Sequence, residues 1–214
     1  MATCATLGQA AGAAAAFCLA GNCLPREVAL DAGRMRQFQQ ILLRDDQSMI
    51  GVLNEDGADL AKKATVKASA ETAAGKAVNL LDGVNRDIPD GQIHQWQAPM
   101  GDAKPWVELS WPEPVRIGTL QLTFDSGLGR LLYLTGQDSE YQSQIRDAQP
   151  ETVAEYEVEA WIDNRWWLIA ARRQNFLRLV RHTFQPVLTD RLRFKILRTN
   201  GDNLARVFEI RCYA

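Results

Sequence analysis

The spacing of apolar residues predicts helices in the first quarter of the chain and strands in the rest. Residues 1–18 form an uncharged, alanine-rich segment, no charge occurs before Arg26, and Pro25 ends the segment. Residues 27–44 place their apolar side chains on one helical face: Val28, Leu30, Met35, Phe38, Ile41 and Leu42. We therefore predict two N-terminal helices, followed by a polar connector at 46–63.

From residue 65 onward, apolar and polar side chains alternate with the period of two that strands require. Tyr156, Val158 and Ala160, for example, alternate with three glutamates. The predicted strands cover 65–69, 106–110, 116–124, 154–162, 165–170, 176–183, 191–197 and 206–213. Asp163-Asn164 predicts a tight hairpin. Because no helical pattern separates these strands, we expect a mainly β fold, an antiparallel jelly-roll-like sandwich preceded by the two helices.

Charge excludes some classes of partner. The 214 residues carry a formal net charge of -2, which argues against bulk affinity for nucleic acid or an anionic membrane. The charge is unevenly distributed: residues 125–163 hold nine acidic and two basic side chains, and residues 165–211 hold eleven basic and three acidic ones. Cross-strand ion pairs explain this pattern, and a basic groove for an acidic ligand is the alternative.

The apolar N-terminus resembles neither a secretory leader nor a membrane span. It lacks a basic first region, and no run of eighteen strongly apolar residues occurs. We therefore expect a soluble protein without a signal peptide, in a compartment that the sequence does not identify. The four cysteines lack the spacing of metal fingers.

The most specific local pattern in the strand region is a polar loop after the Asp82-Gly83 turn. Asn85, Arg86, Asp87 and Asp90 follow the turn, and Glu209 is available from the last strand. Clustered oxygen ligands suit calcium, so Asp82, Asp87 and Glu209 are the predicted metal ligands. The alternative is a solvated loop whose aspartates bond their own backbone.

A second candidate site is a sugar-binding end of the sandwich. The predicted ligand-binding residues are Arg86, His94, Trp96, Asn175 and Arg178, because their loops can share one end. For each of the six tryptophans a core position is the simpler interpretation, and Trp96 in particular is expected beneath the loops. No nucleophile motif surrounds either histidine, so we predict no catalytic residue.

Residues 61–214 resemble the galactose-binding-like sandwich of the discoidin, or coagulation-factor C-type, family. The matching segments, in order, are Ala64-Thr-Val-Lys-Ala-Ser69, Asp82-Gly83, Trp96, Trp106-Val-Glu-Leu109, 115–122 and 207–213. The resemblance implies a carbohydrate-binding sandwich in which Asp82 and Glu209 help to hold a structural calcium.

Residues 1–60 resemble the end of a bacterial family of FAD-dependent oxidoreductases. The segment 2–12 looks like that family's last flavin-proximal helix, and 42–47 and 54–61 look like its connector. The resemblance implies that Thr3, Cys4 and Gly8 face the flavin in an intact parent. No glycine-rich dinucleotide fingerprint occurs, so we expect no FAD on this chain alone.

Together these patterns predict a non-catalytic accessory domain that binds carbohydrate. The alternatives are a fragment of a flavin oxidoreductase whose sandwich is purely structural, and a docking partner of a separate flavin domain. Self-association through the first helix is a further expectation.

Overall fold

The computed structural model describes residues 2–87, 91–130, 137 and 141–214. The chain divides into two compact units, Met1–Asp56 and Gly57–Ala214. The first unit is helical and the second is built from strands.

The helical unit contains three helices, α1 (Ala2–Ala20), α2 (Pro25–Leu30) and α3 (Ala32–Arg44). The prediction of one continuous helix over 27–44 was wrong. Asp31 has an extended backbone, with φ -105° and ψ 110°, and its Oδ1 accepts hydrogen bonds from the amides of Gly33 and Arg34. Because the Asp31 side chain caps the start of α3, the helix breaks at this residue, although apolar residues lie on both sides of it in the sequence.

Helix α1 buries very little of its apolar surface. Phe17 packs on Phe38 of α3, with 5.9 Å between ring centroids. Of the stretch Thr3–Ala20, whose mean hydropathy is 1.3, 6% is buried. This helix is long and apolar enough to cross a membrane, a test that a signal sequence near the N-terminus also passes.

Among the residues that the structure describes, seven antiparallel strands form the sheet of the second unit. They are β1 (Thr65–Ala68), β2 (Trp96–Pro99), β3 (Trp106–Phe124), β4 (Val153–Ile162), β5 (Arg165–Arg172), β6 (Leu179–Thr199) and β7 (Leu204–Tyr213). Their order is β2-β7-β3-β6-β4-β5, and β1 also pairs with β3. The β4–β5 hairpin turns at Asp163-Asn164, both with positive φ, as predicted.

Strands β3 and β6 run as one long paired ribbon, so each joins two strands that the sequence predicted separately. Pro112 and Pro114 lie between the two predicted strands of β3, where the ladder skips from Ser110 to Val115 and then continues. A bulge leaves the prolines, which lack an amide donor, outside the pairing. The sequence pattern missed β2, a short strand whose first three side chains are all buried and therefore do not alternate.

Apolar side chains from both ends of the β3–β6 ribbon fill one interior, which makes the unit a sandwich. Leu120, Leu122 and Ile210 face the same narrow space as Val107, Leu109, Val158, Leu192 and Phe194. Tyr156 is fully buried there, with its ring centroid 5.3 Å from that of Phe124. A mainly β sandwich preceded by helices is therefore confirmed.

Ion pairs between neighbouring strands account for much of the uneven charge. Lys195 Nζ lies 2.7 Å from a carboxylate oxygen of Glu159, and the Nη2 of Arg193 lies 2.8 Å from that of Glu108. Arg198 pairs in the same way with Glu155 at 3.0 Å. Cross-strand pairing, the simpler of the two interpretations of the sequence, is confirmed for these residues.

Candidate functional site

Five loop segments meet at one end of the sandwich. The Arg178 guanidinium donates to the carbonyls of Phe124, at 2.8 Å, and of Asn85, which ties the β6 entry to the end of β3 and to the 82–87 loop. Thr152 Oγ1 donates to the Asp125 carbonyl at 2.9 Å, and Asn200 Nδ2 donates to the Thr152 carbonyl at 3.1 Å. These bonds bring the Arg178 segment and the loop that carries Arg86 to the same end of the sandwich.

A cavity of about 530 Å³ opens among these loops, and we call it the first cavity. It is lined by Arg86, Asp87, Gln95, Asp125, Gly127, Leu128, Gly129, Arg130, Glu151, Arg206 and Phe208. The volume is in the range of small-molecule sites. Charged and amide side chains dominate the lining, so the cavity suits a small ligand rich in hydroxyl groups.

Two arginines in the first cavity are held in place by acidic partners. Arg130 Nη2 donates to Glu151 Oε2 at 3.0 Å and to Gln149 Oε1 at 2.6 Å. The hydrogen bond from Arg130 holds the pKa of Glu151 below its ordinary value. Arg206 Nε donates to Asp202 Oδ2 at 2.7 Å. These pairs fix donors in the wall and cancel most of the positive charge.

Gln95 provides a buried acceptor in the same wall. Its residue is 3% exposed, and its Nε2 donates to Asp87 Oδ2 at 2.6 Å. Its Oε1 is buried and has no hydrogen-bond partner among the residues that the structure describes. A buried carbonyl oxygen without a donor is costly, so this atom is suited to accept a ligand hydroxyl.

His94 does not line the first cavity, but its backbone holds Asp87, which does. Its amide donates to Asp87 Oδ1 at 2.7 Å, and its Nδ1 lies 2.7 Å from Asp82 Oδ2. Burial raises the pKa of the Asp82 carboxyl, while the hydrogen bond from His94 opposes that shift. The ring therefore braces the Asp82 turn, and the backbone amide positions Asp87.

The other predicted ligand contacts have structural roles. Trp96 is fully buried, and its indole nitrogen donates to the Ala70 carbonyl at 3.0 Å. Asn175 is also fully buried, and its side-chain Nδ2 donates to the carbonyls of Val153 and Leu177. Arg178 is committed to the carbonyl contacts described above. Of the five predicted residues, Arg86 is the one whose side chain is exposed at the cavity.

The predicted calcium ligands are not gathered into one site. The Asp82 and Asp87 carboxylates accept the bonds just described, and Asp82 Oδ1 also accepts from the Val84 amide at 2.8 Å. Glu209 Oε2 instead accepts from Arg211 Nε at 2.7 Å, inside the core. Among the described residues, no group of three or more His, Cys, Asp or Glu side chains is placed to hold a metal. Asp90 lies outside the described residues.

A second cavity, of about 690 Å³, lies at the same end and was not predicted. It is lined by Arg146, Asp147, Ala148, Gln149, Gln174, Asn175, Phe176, Arg198 and Asn200. Phe176 is 64% exposed, although the sequence pattern had placed it in a strand. The signal that was available is Gln-Asn before this aromatic residue, because Asn tolerates turn conformations.

The surface tryptophans are packed with arginines rather than arranged around the cavities. Trp161 and Trp166 contact edge to face at 5.1 Å, and Arg191 lies 4.3 Å from the Trp161 ring centroid. Thr3, Cys4 and Gly8 are exposed on α1, in the helical unit.

Comparison with known proteins identifies the fold. Residues 59–126 match a domain of unknown function, DUF7402. No curated protein matches the chain. The family 32 carbohydrate-binding module of Streptococcus pneumoniae EndoD superposes with a TM-score of 0.54 at 16% identity, over 72% of this chain and 98% of that chain.

Two further solved structures are similar to the same extent. Chitosan-binding module 1 of a chitosanase/glucanase from Paenibacillus sp. IK-5 gives a TM-score of 0.52 at 14% identity, over 73% of this chain and 98% of that one. A Clostridium perfringens family 32 module, solved in complex with GalNAc-β-1,3-galactose, gives a TM-score of 0.52 at 14% identity. The match covers 72% of this chain and 97% of that one. The sandwich therefore has the galactose-binding-like fold of carbohydrate-binding modules.

Proposed function

We propose that the sandwich is a non-catalytic module that binds carbohydrate in the first cavity. The observation that carries this proposal is the first cavity itself, in whose wall Gln95, with its buried and unpartnered Oε1, lies beside fixed arginine and carboxylate groups. Sugar hydroxyl groups both donate and accept, so they match a cavity that offers both roles. The fold supports the proposal by analogy, because similar modules were solved with galactose-type sugars.

Each wall group has a specific role in this proposal. Gln95 Oε1 accepts a hydroxyl hydrogen, and exposed Arg86 donates to a hydroxyl oxygen at the rim. Asp87 holds the Gln95 amide through Nε2, so that the carbonyl oxygen keeps its direction. A preorganised wall of this kind lowers the entropic cost of binding.

Isothermal titration calorimetry tests the proposal with galactose, GalNAc-β-1,3-galactose and chitotriose. We expect one of these sugars to bind, and Arg86→Ala or Gln95→Leu to weaken that binding by about tenfold or more. Arg165→Ala is the matched control, because Arg165 lies at the β4–β5 hairpin and over Trp167. Absence of binding at millimolar concentrations of all three sugars would contradict the proposal.

A second function concerns the helical unit, which we propose to dock on a flavin-binding domain. The supporting observation is that α1 is apolar on all sides, while 6% of its residues from Thr3 to Ala20 are buried. Exposed apolar surface of this extent is typical of interaction sites. The resemblance of residues 1–60 to the end of FAD-dependent oxidoreductases is what suggests the flavin domain as the partner.

The DNA upstream of the first codon tests this second proposal. An open reading frame that encodes a glycine-rich phosphate loop supports it, because the pyrophosphate of FAD needs such a loop. Protein purified from its native source is then expected to elute with a yellow flavoprotein. A colourless monomer, with no such frame upstream, would contradict it. Light scattering on a chain without residues 1–24 separates docking from self-association through α1.

A further inference from the structure

Phe176 is exposed on a loop whose backbone is fixed. The Asn175 amide donates to the Ala154 carbonyl at 2.8 Å, and the Asn175 side chain bonds the carbonyls of Val153 and Leu177 at 2.9 and 3.0 Å. Asn200 Nδ2 donates to the Asn175 carbonyl at 2.9 Å. These bonds anchor the segment on both sides. The Phe176 ring is therefore exposed on a fixed loop.

The loop also contains a strained backbone position. Gln174, directly before the buried Asn175, has φ +54°. A residue other than glycine in this region costs about 1 kcal/mol or more, and such strain concentrates at binding sites. A fixed, strained loop that presents an aromatic ring to solvent is consistent with a binding role for the ring.

The two cavities are adjacent at this end of the sandwich. Gln149 lines the second cavity, and its Oε1 accepts from Arg130, which lines the first. Glu151, two residues later, also lines the first cavity. Two residues span at most about 7 Å of extended chain, so only a narrow ridge separates the cavities.

We propose that the ligand is an oligosaccharide that crosses this ridge and stacks a second sugar ring on Phe176. This inference rests on the proposed function, because the first sugar occupies the first cavity. The second sugar lays its apolar ring face on the exposed phenyl group, while Gln174 and Arg198 at the second cavity offer hydrogen bonds to its hydroxyls. The ligand class is therefore a chain of at least two sugar units.

Calorimetry with matched short and long sugars tests this inference. The pairs are galactose with GalNAc-β-1,3-galactose, and glucosamine with chitotriose. For the pair that binds, we expect the longer sugar to bind about tenfold more tightly than the monosaccharide. Phe176→Ala should remove this gain and leave the affinity for the monosaccharide unchanged. Phe176→Trp should retain the gain.

Leu168→Ala is the matched control, since Leu168 is 58% exposed on β5 and lines neither cavity. Arg86→Ala should lower the affinity for the short and the long sugar by the same factor, because Arg86 lies in the first cavity. Equal affinities for the short and long sugars, or an unchanged gain in Phe176→Ala, overturn the inference and leave the proposed function intact. Absence of binding by every sugar overturns both.

Discussion

The two units of this chain treat their apolar residues in opposite ways. The sandwich buries most of its apolar strand residues in one interior, with Leu120 at 1% exposure. Helix α1 leaves them in solvent, with Leu19 at 83% exposure. The sandwich therefore has the packing of a self-sufficient domain, whereas α1 has the composition of a buried helix without the burial. The comparison indicates that only the second unit carries its own stabilising core.

The largest effect is expected at the buried ion pair of the sandwich. Arg211→Met should lower the free energy of unfolding by about 3–5 kcal/mol, because it removes the guanidinium that faces the buried Glu209 carboxylate. The double variant Glu209→Gln/Arg211→Met should recover most of the loss. Urea denaturation measures both. A loss below about 1 kcal/mol in Arg211→Met would mean that Glu209 does not depend on this partner.

A matched leucine pair tests the comparison of the two units directly. Leu120→Ala should cost about 3 kcal/mol, because it opens a cavity in the core. Leu19→Ala removes the same atoms from an exposed position on α1 and should change the free energy of unfolding by no more than about 0.5 kcal/mol. Equal losses in urea denaturation would show that α1 is buried in solution.

A smaller effect is expected from the histidine beside the core. His182 Nε2 lies 2.7 Å from the buried Tyr156 hydroxyl, and burial lowers the pKa of His182. The unfolded chain therefore binds this proton more readily, and the stability should fall as the pH drops below about 6.5. Between pH 7 and pH 5, the melting temperature should fall less for His182→Gln than for the unsubstituted protein. Parallel melting curves would contradict this assignment.

The smallest effect is expected from calcium. Because the Asp82, Asp87 and Glu209 oxygens already accept bonds from protein donors, neither millimolar calcium nor EDTA should shift the melting temperature. Calcium at 100 times its Kd would stabilise a true site by about 2.7 kcal/mol, a shift that melting resolves. A shift that Asp82→Asn abolishes would support the calcium site predicted from the sequence.

The sequence predicts those elements whose side chains alternate between core and solvent. Strand β4 is an example, since its glutamates alternate with Tyr156, Val158 and Ala160. Strand β2 has no alternation between core and solvent, because Trp96, Gln97 and Ala98 are all buried, so periodicity does not reveal it. The helix break at Asp31 depends on its side chain capping α3, which the pattern of apolar and polar positions does not encode.

The candidate site was only partly predictable, because its walls come from distant segments. Gln95, Arg130 and Glu151 become neighbours only after β2, β7, β3, β6 and β4 have paired in that order across the sheet. The sequence identified Arg86 and the shared end, but it assigned Asn175 to ligand contact. The structure shows that Asn175 is the buried anchor of the loop and that the next residue, Phe176, is exposed.

A comparison of the thermal unfolding of a fragment, residues 57–214, with that of the full chain tests most directly whether the sandwich is stable on its own. The fragment should unfold in one cooperative transition within about 2 °C of the main transition of the full chain, since a loss of 1 kcal/mol would shift a domain of this size by about 2–4 °C. A fragment that fails to fold, or that melts more than about 4 °C lower, would contradict the central claim.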